Sequence, residues 1–212
     1  FNNHIFYLVM NNIYRLLINI YLYLLFKTLN NMKAKIETKD VVFKGLKIVS
    51  WLIFIGLCIE AGGLIVNFIF SLIKPEFIHN LYQKLDLSEI YNSSKPIFFG
   101  MYGFILVISI LKAVLFYIVI LLITKIDLLK PFNNFVSKQI YSISYYTFSI
   151  GLISLIGKQL AKTLKHKGFV TDVLNQFWSD GQAFILMAAV IYVIAVIFSK
   201  GVEYQEELEE TV

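Results

Sequence analysis

Glu60 and Lys112 are the only charged residues within four long apolar runs, 48–73, 97–124, 140–157 and 181–199. On insertion scales a charge at the centre of a bilayer costs about 2.5 to 3.5 kcal/mol, which flanking apolar residues must offset. A carboxylate and an ammonium so placed therefore pair, exchange a proton, or face water. Glu60 lies twelve residues after Ile48, and Lys112 twelve before Thr124. At about 1.5 Å per residue both fall roughly 18 Å from the same ends of antiparallel neighbours. They are expected to meet as an intramembrane charge pair. Such a pair acts as a lock on helix register, a titratable switch or an ion-coupling site.

A second group of chemically capable residues closes the chain. Glu203, Gln205, Glu206 and Glu207, followed by Glu209 and Glu210, crowd the end of a helical pattern, where the macrodipole disfavours negative charge. Two readings stay open. One is a solvated acidic tail; the other is a docking helix for a basic partner, steered by complementary charge. Pro131 and Phe132 form a third feature. Pro131 lacks an amide hydrogen and presets its backbone angle, so the pair is expected to start a helix on the membrane surface, with Phe132, Phe135 and Val136 towards lipid.

Catalytic signatures are lacking. No phosphate-cradling glycine loop, nucleophile elbow or histidine pair at metal spacing occurs, and His4, His79 and His166 lie in separate segments. The chain is expected to be no enzyme, with no cofactor and no metal site. The lone Cys58 excludes an intramolecular disulfide and is expected to pack within its span.

The elements that must position these residues are transmembrane helices. Lipid offers no partner to backbone polar groups, so about 20 apolar residues in helical form are needed to cross a core of roughly 30 Å. Hydrophobic residues make up 58% of the chain and charged ones 16%, with a mean hydropathy of +0.72. The fold class expected is all-α: an integral membrane bundle of four transmembrane helices, spanning about 46–73, 97–124, 140–164 and 181–200, with short amphipathic surface helices. One surface helix is expected from Pro75 to near Asn92, with Ile78, Leu81 and Leu85 on one face. Lys158, Lys162 and Lys165 repeat at helical spacing and carry the third helix past Gly157. Ser142, Ser144, Ser149, Ser154, Gly151 and Gly157 give that span close packing or a wet groove, and Gly62 and Gly63 admit a helix closely in the first.

Residues 32–212 form a single membrane domain. Residues 1–31, with seven Asn, seven Leu and no Gly, Ala, Pro, Asp or Glu, resemble translated AT-rich DNA. We expect Met32 to be the native initiator and 1–31 to be a non-native upstream segment; the rival reading is an interfacial helix. Five lysines before the first span place both termini in the cytoplasm. The net charge of +5 suits anchoring to anionic headgroups of the bilayer, with no direct nucleic-acid contact.

Two stretches carry a resemblance. Lys130-Pro131-Phe132-Asn133-Asn134-Phe135-Val136-Ser137-Lys138 and Gly201-Val202-Glu203-Tyr204-Gln205-Glu206-Glu207, closing in Thr211-Val212, are similar to signatures of a bacterial family of four-span membrane proteins, domain of unknown function 2975. This chain departs from the family at Leu208, Glu209 and Glu210, where Asn-Asp-Leu is usual, and in a less basic Pro-Phe segment. The resemblance implies a bacterial cytoplasmic-membrane protein without settled activity. Its implied partner is a cytoplasmic transcriptional regulator of helix-turn-helix type. Two functions therefore stand: a signalling or regulatory partner docking that regulator through Glu203, Gln205, Glu206 and Glu207, or a small transporter using Glu60 and Lys112. A permeation path needs polar groups at several depths, and the first, second and fourth spans read as almost wholly apolar apart from that one pair.

Overall fold

The computed structural model describes residues 38–73, 78, 87–127 and 131–210, together with 15, 18–20, 22, 23 and 27. These last seven are helical and exposed. The Met32 initiator and most of the 1–31 segment lie outside the described residues.

The elements are α1 (Thr38–Ile73), α2 (Ser88–Ser93), α3 (Lys95–Lys125), α4 (Asn134–His166), α5 (Asn175–Trp178) and α6 (Gly181–Glu210), with a 3-10 turn at Asp172–Leu174. No strand occurs among the described residues. Four helices are long and apolar enough to cross a membrane. At 36, 31, 33 and 30 residues they run about 45 to 54 Å, so their ends reach beyond a bilayer core or the helices tilt.

The helices pack in series: α1 on α3, α3 on α4 and α4 on α6. α1 and α6 end the series and share no broad contact among the described residues. The pattern of burial is inverted relative to a water-soluble bundle. Leu186 and Ile197 on α6 are 70% and 64% exposed, whereas Asn67, Ser144, Thr147 and Ser154 are 3% exposed or less. Water would reward the opposite arrangement; helices associating in lipid have this one, with small and polar residues at their contacts.

That association is plainest between α4 and α6. Gly181, Ala188, Ala195 and Val202 are buried and recur every seven residues, the repeat of a left-handed knobs-into-holes seam. On α4, Ser137, Ser144 and Gly151 repeat at the same spacing, as do Ile140, Thr147, Ser154 and Ala161. The backbones approach closely: an added Cβ on Gly151 would lie 2.7 Å from Ile185 Cγ1 and 3.0 Å from the Gly181 carbonyl. Ser144 Oγ donates across the seam to the Ala188 carbonyl at 2.9 Å. Three further hydroxyls bond backwards, Ser142 to Lys138, Thr147 to Ile143 and Ser149 to Tyr145, which satisfies them without water.

Helix ends follow local chemistry. α4 starts where Asn133 Oδ1 accepts from the Val136 amide at 2.9 Å, an N-cap. It stops in a Schellman turn: Gly168 sits at φ 91°, its amide bonds Lys165, and the Phe169 amide bonds Leu164. Only glycine takes that backbone conformation without strain. The connector then folds back along α4. Thr171 Oγ1 donates to the Ala161 carbonyl at 3.1 Å, Lys165 pairs with Asp172 at 2.6 Å, and Trp178 lies over Gly157, 3.1 Å from where a Cβ would stand.

Some expectations shift. Helix α4 begins at Asn134 and is continuous with the span, so Pro131 and Phe132 precede it in non-helical conformation and start no separate surface helix. Val136 is buried rather than turned to lipid, because the cap at Asn133 rotates it onto the seam. Between α1 and α3 the described residues hold a short helix at Ser88–Ser93. Ile78 is buried; Pro75, Leu81 and Leu85 lie outside the described residues. Gly62 has no atom within 4 Å of an added Cβ, so nothing approaches closely at that residue, whereas Gly63 beside it is buried; Cys58 is exposed rather than packed inside.

Candidate functional site

The two stretches singled out in the sequence, Pro131 with Phe132 and the acidic end of α6, meet in one place. The capped start of α4 and the last turns of α6 are antiparallel neighbours, so the positive end of one macrodipole lies beside the negative end of the other. Phe132 leaves the segment before α4 and lays its ring on α6, with its centroid 4.9 Å from that of Phe198. Gly201 makes this possible: a Cβ there would stand 2.5 Å from Phe132 Cδ1. One turn further on, Asn134 Nδ2 donates to Glu206 Oε1 at 2.8 Å. The acidic residues so find a physical reason that their own helix withholds. A carboxylate disfavoured at the C-terminus of α6 is favoured at the N-terminus of α4.

The remaining groups of the junction shape its charge. Lys200 Nζ binds Glu203 Oε2 at 2.5 Å within one turn, both exposed, and Lys125 lies 5.2 Å from the centroid of the Phe135 ring. Val202 is buried and Gln205 half-buried, while Glu203, Glu206, Glu207 and Glu210 are exposed. Tyr204 and Leu208, one turn apart, are 64% and 68% exposed. An aromatic and an aliphatic side chain therefore stand exposed among carboxylates. The helix is continuous to Glu210, so the acidic residues lie on an ordered helical arm.

Glu60 and Lys112 are placed differently. The α1 to α3 register follows from Phe54 against Tyr117, with ring centroids 6.0 Å apart, and from the Tyr102 hydroxyl, which donates to the Leu64 carbonyl at 3.1 Å. Counting inward from each contact sets Glu60 level with residues 106–111, so it lies between about 2 and 9 Å of Lys112 along the helix axis. Their depths are close. Both are half-buried, yet no ion pair or hydrogen bond joins them.

Their surroundings are more polar than the apolar runs suggested. Asn67, seven residues from Glu60, and Ser71, eleven away, are buried on the same helical face as Leu64, and Ser109 is buried on the Tyr102 face of α3. Ser71 Oγ donates to the Phe68 carbonyl at 2.7 Å; Asn67 Nδ2 and Ser109 Oγ are buried with no protein partner. So α1 and α3 meet along a mixed polar face rather than an apolar one with a single pair. The signal was legible as polar residues at 60, 67 and 71 on one face of a 3.6-residue helix.

Among the described residues no group of three His, Cys, Asp or Glu side chains could hold a metal ion. No family model, no curated protein and no solved structure matches this chain.

Proposed function

We propose that the protein is a multi-pass protein of a bacterial cytoplasmic membrane, with both termini in the cytoplasm, that acts as a regulatory partner rather than an enzyme. Its acidic arm, Glu203, Gln205, Glu206 and Glu207, together with the residue 131–134 segment, holds a basic cytoplasmic protein, and the helix-turn-helix regulator implied by the family resemblance is the class of partner that suits it. The observation that supports this reading is the junction itself. Phe132 on Gly201 and Asn134 on Glu206 join into one surface the two stretches on which the resemblance rests, leaving Tyr204 and Leu208 exposed among carboxylates.

The test is co-purification of the regulator from native membranes. Deleting 203–212 should release the partner while the four helices still insert, and reversing Glu203, Glu206 and Glu207 to lysine should do the same. Retention of the partner after truncation would overturn the reading. A transporter remains the second reading, and the unpaired Asn67 and Ser109 beside Glu60 and Lys112 favour it. In proteoliposomes the regulatory reading expects no ion flux above that of protein-free vesicles.

A further inference from the structure

Between the start of α3 and the end of α4, on the opposite side of the series from the acidic junction, runs an open groove of about 270 Å³. Two helical rows form it. Ile97, Gly100 and Phe104 face it from α3, and Leu160, Thr163 and Lys167 from α4. Gly100 is its floor, since no atom lies within 4 Å of a Cβ added there. Thr163 uses its hydroxyl on the Gln159 carbonyl, 3.0 Å away, and so presents its methyl. The walls are therefore apolar, apart from one cation at the end.

That cation is Lys167. It is exposed and has no carboxylate partner among the described residues, whereas neighbouring Lys165 is held by Asp172 and Lys95 lies over the Tyr91 ring at 5.4 Å. Lys158, Lys162 and His166 add exposed positive or titratable groups on the same turns. The position along the helix matters as much as the charge. The charge-free run of α4 ends at Gly157, so Leu160 to Lys167 covers about 10 Å of helix at the depth where acyl chains give way to headgroups.

We propose that this groove holds one anionic phospholipid, with part of an acyl chain over Gly100 between Ile97 and Leu160 and its phosphate at Lys167. The proposal rests on α3 and α4 crossing a bilayer. An apolar trough open along its side accepts a chain rather than a compact solute, and an unpaired ammonium at its headgroup end selects negative charge.

The experiment is native mass spectrometry of detergent-purified protein given dioleoylphosphatidylglycerol or dioleoylphosphatidylcholine. One phosphatidylglycerol should be retained per chain in preference to phosphatidylcholine. Lys167→Gln should lower that retention about fivefold, the effect of one basic residue at an anionic surface. Gly100→Leu fills the floor and should abolish retention of both lipids, while Gly103→Leu, also open but outside the groove, should leave it unchanged. If Gly100→Leu fails to purify as a monodisperse helical protein, Thr163→Leu fills the same space from α4. Equal retention of the two lipids, no effect of Lys167→Gln, or unchanged binding in the groove-filling variants each overturns the proposal, the last showing an annular lipid only. Release of the protein from membranes by alkaline carbonate would instead overturn the membrane reading on which the proposal rests.

Discussion

Gly201 and Phe132 show how one missing side chain joins two distant segments. A helix interior disfavours glycine by about 1 kcal/mol relative to alanine, so its place under the Phe132 ring, 2.5 Å from an imagined Cβ, needs a reason, and the ring supplies it. We expect Gly201→Val to destabilise the folded protein by about 1 to 3 kcal/mol through overpacking, read as a lower unfolding midpoint in detergent. Phe132→Ala should relieve much of that loss. Equal destabilisation by Gly201→Val in the Phe132→Ala background would mean that the ring does not sit there. Glu60 and Lys112 invite a different measurement. Their depths were legible in the sequence because rise per residue is constant, but whether two side chains at one depth touch depends on helix rotation, which packing decides. With no ion pair between them, Glu60→Gln and Lys112→Met should be additive within about 0.5 kcal/mol. A coupling well above 1 kcal/mol would restore the pair expected from sequence.

Among the elements, α4 and α6 carry the tightest seam, and their small residues are the reason. Ala188 and Ala195 are 2% and 0% exposed, against an exposed Ala189 beside them. Ala188→Leu or Ala195→Leu should cost about 1 to 3 kcal/mol by forcing the backbones apart, whereas Ala189→Leu should stay within about 0.5 kcal/mol. Equal effects in circular-dichroism melts would place the seam elsewhere. The serines and glycines of α4 were readable as a packing face: Ser144, Gly151 and Ser154 pack closely against α6 and Gly157 against Trp178, while Ser142 and Ser149 bond back within their own helix. Gly62 was readable in the same terms, yet an added Cβ there would meet nothing within 4 Å, while Gly63 beside it is buried. Small residues permit a close approach without specifying one; the partner helix must also present its own small face, as Gly181 and Ala188 do for Gly151 and Ser144. The acidic arm shows the same limit. Its charge conflicted with its own helix dipole, and only the neighbouring start of α4, capped by Asn133, resolves the conflict.

For the whole molecule, the topology proposed is testable by single-cysteine labelling with Cys58→Ser as background. A cysteine at 89, on α2, should react with an impermeant maleimide from outside, and one at 207, on the arm, should be protected until the membrane is opened. Labelling of 207 from outside would invert the protein and remove the docking reading. The number, type and approximate limits of the long helices were set by local rules: the length of apolar runs, Pro96 at the start of α3, Asn133 before α4 and Gly168 after it. Each acts within a turn or two of chain, so sequence alone determines it. The order of the helices in space, the open series with α1 and α6 at its ends, the fold-back of Trp178 onto Gly157, the groove over Gly100 and the union of residues 131–134 with the end of α6 are of another kind. They arise from side chains distant in sequence filling one another's space, and the balance between alternative packings of similar apolar helices is decided only when all of them are present together.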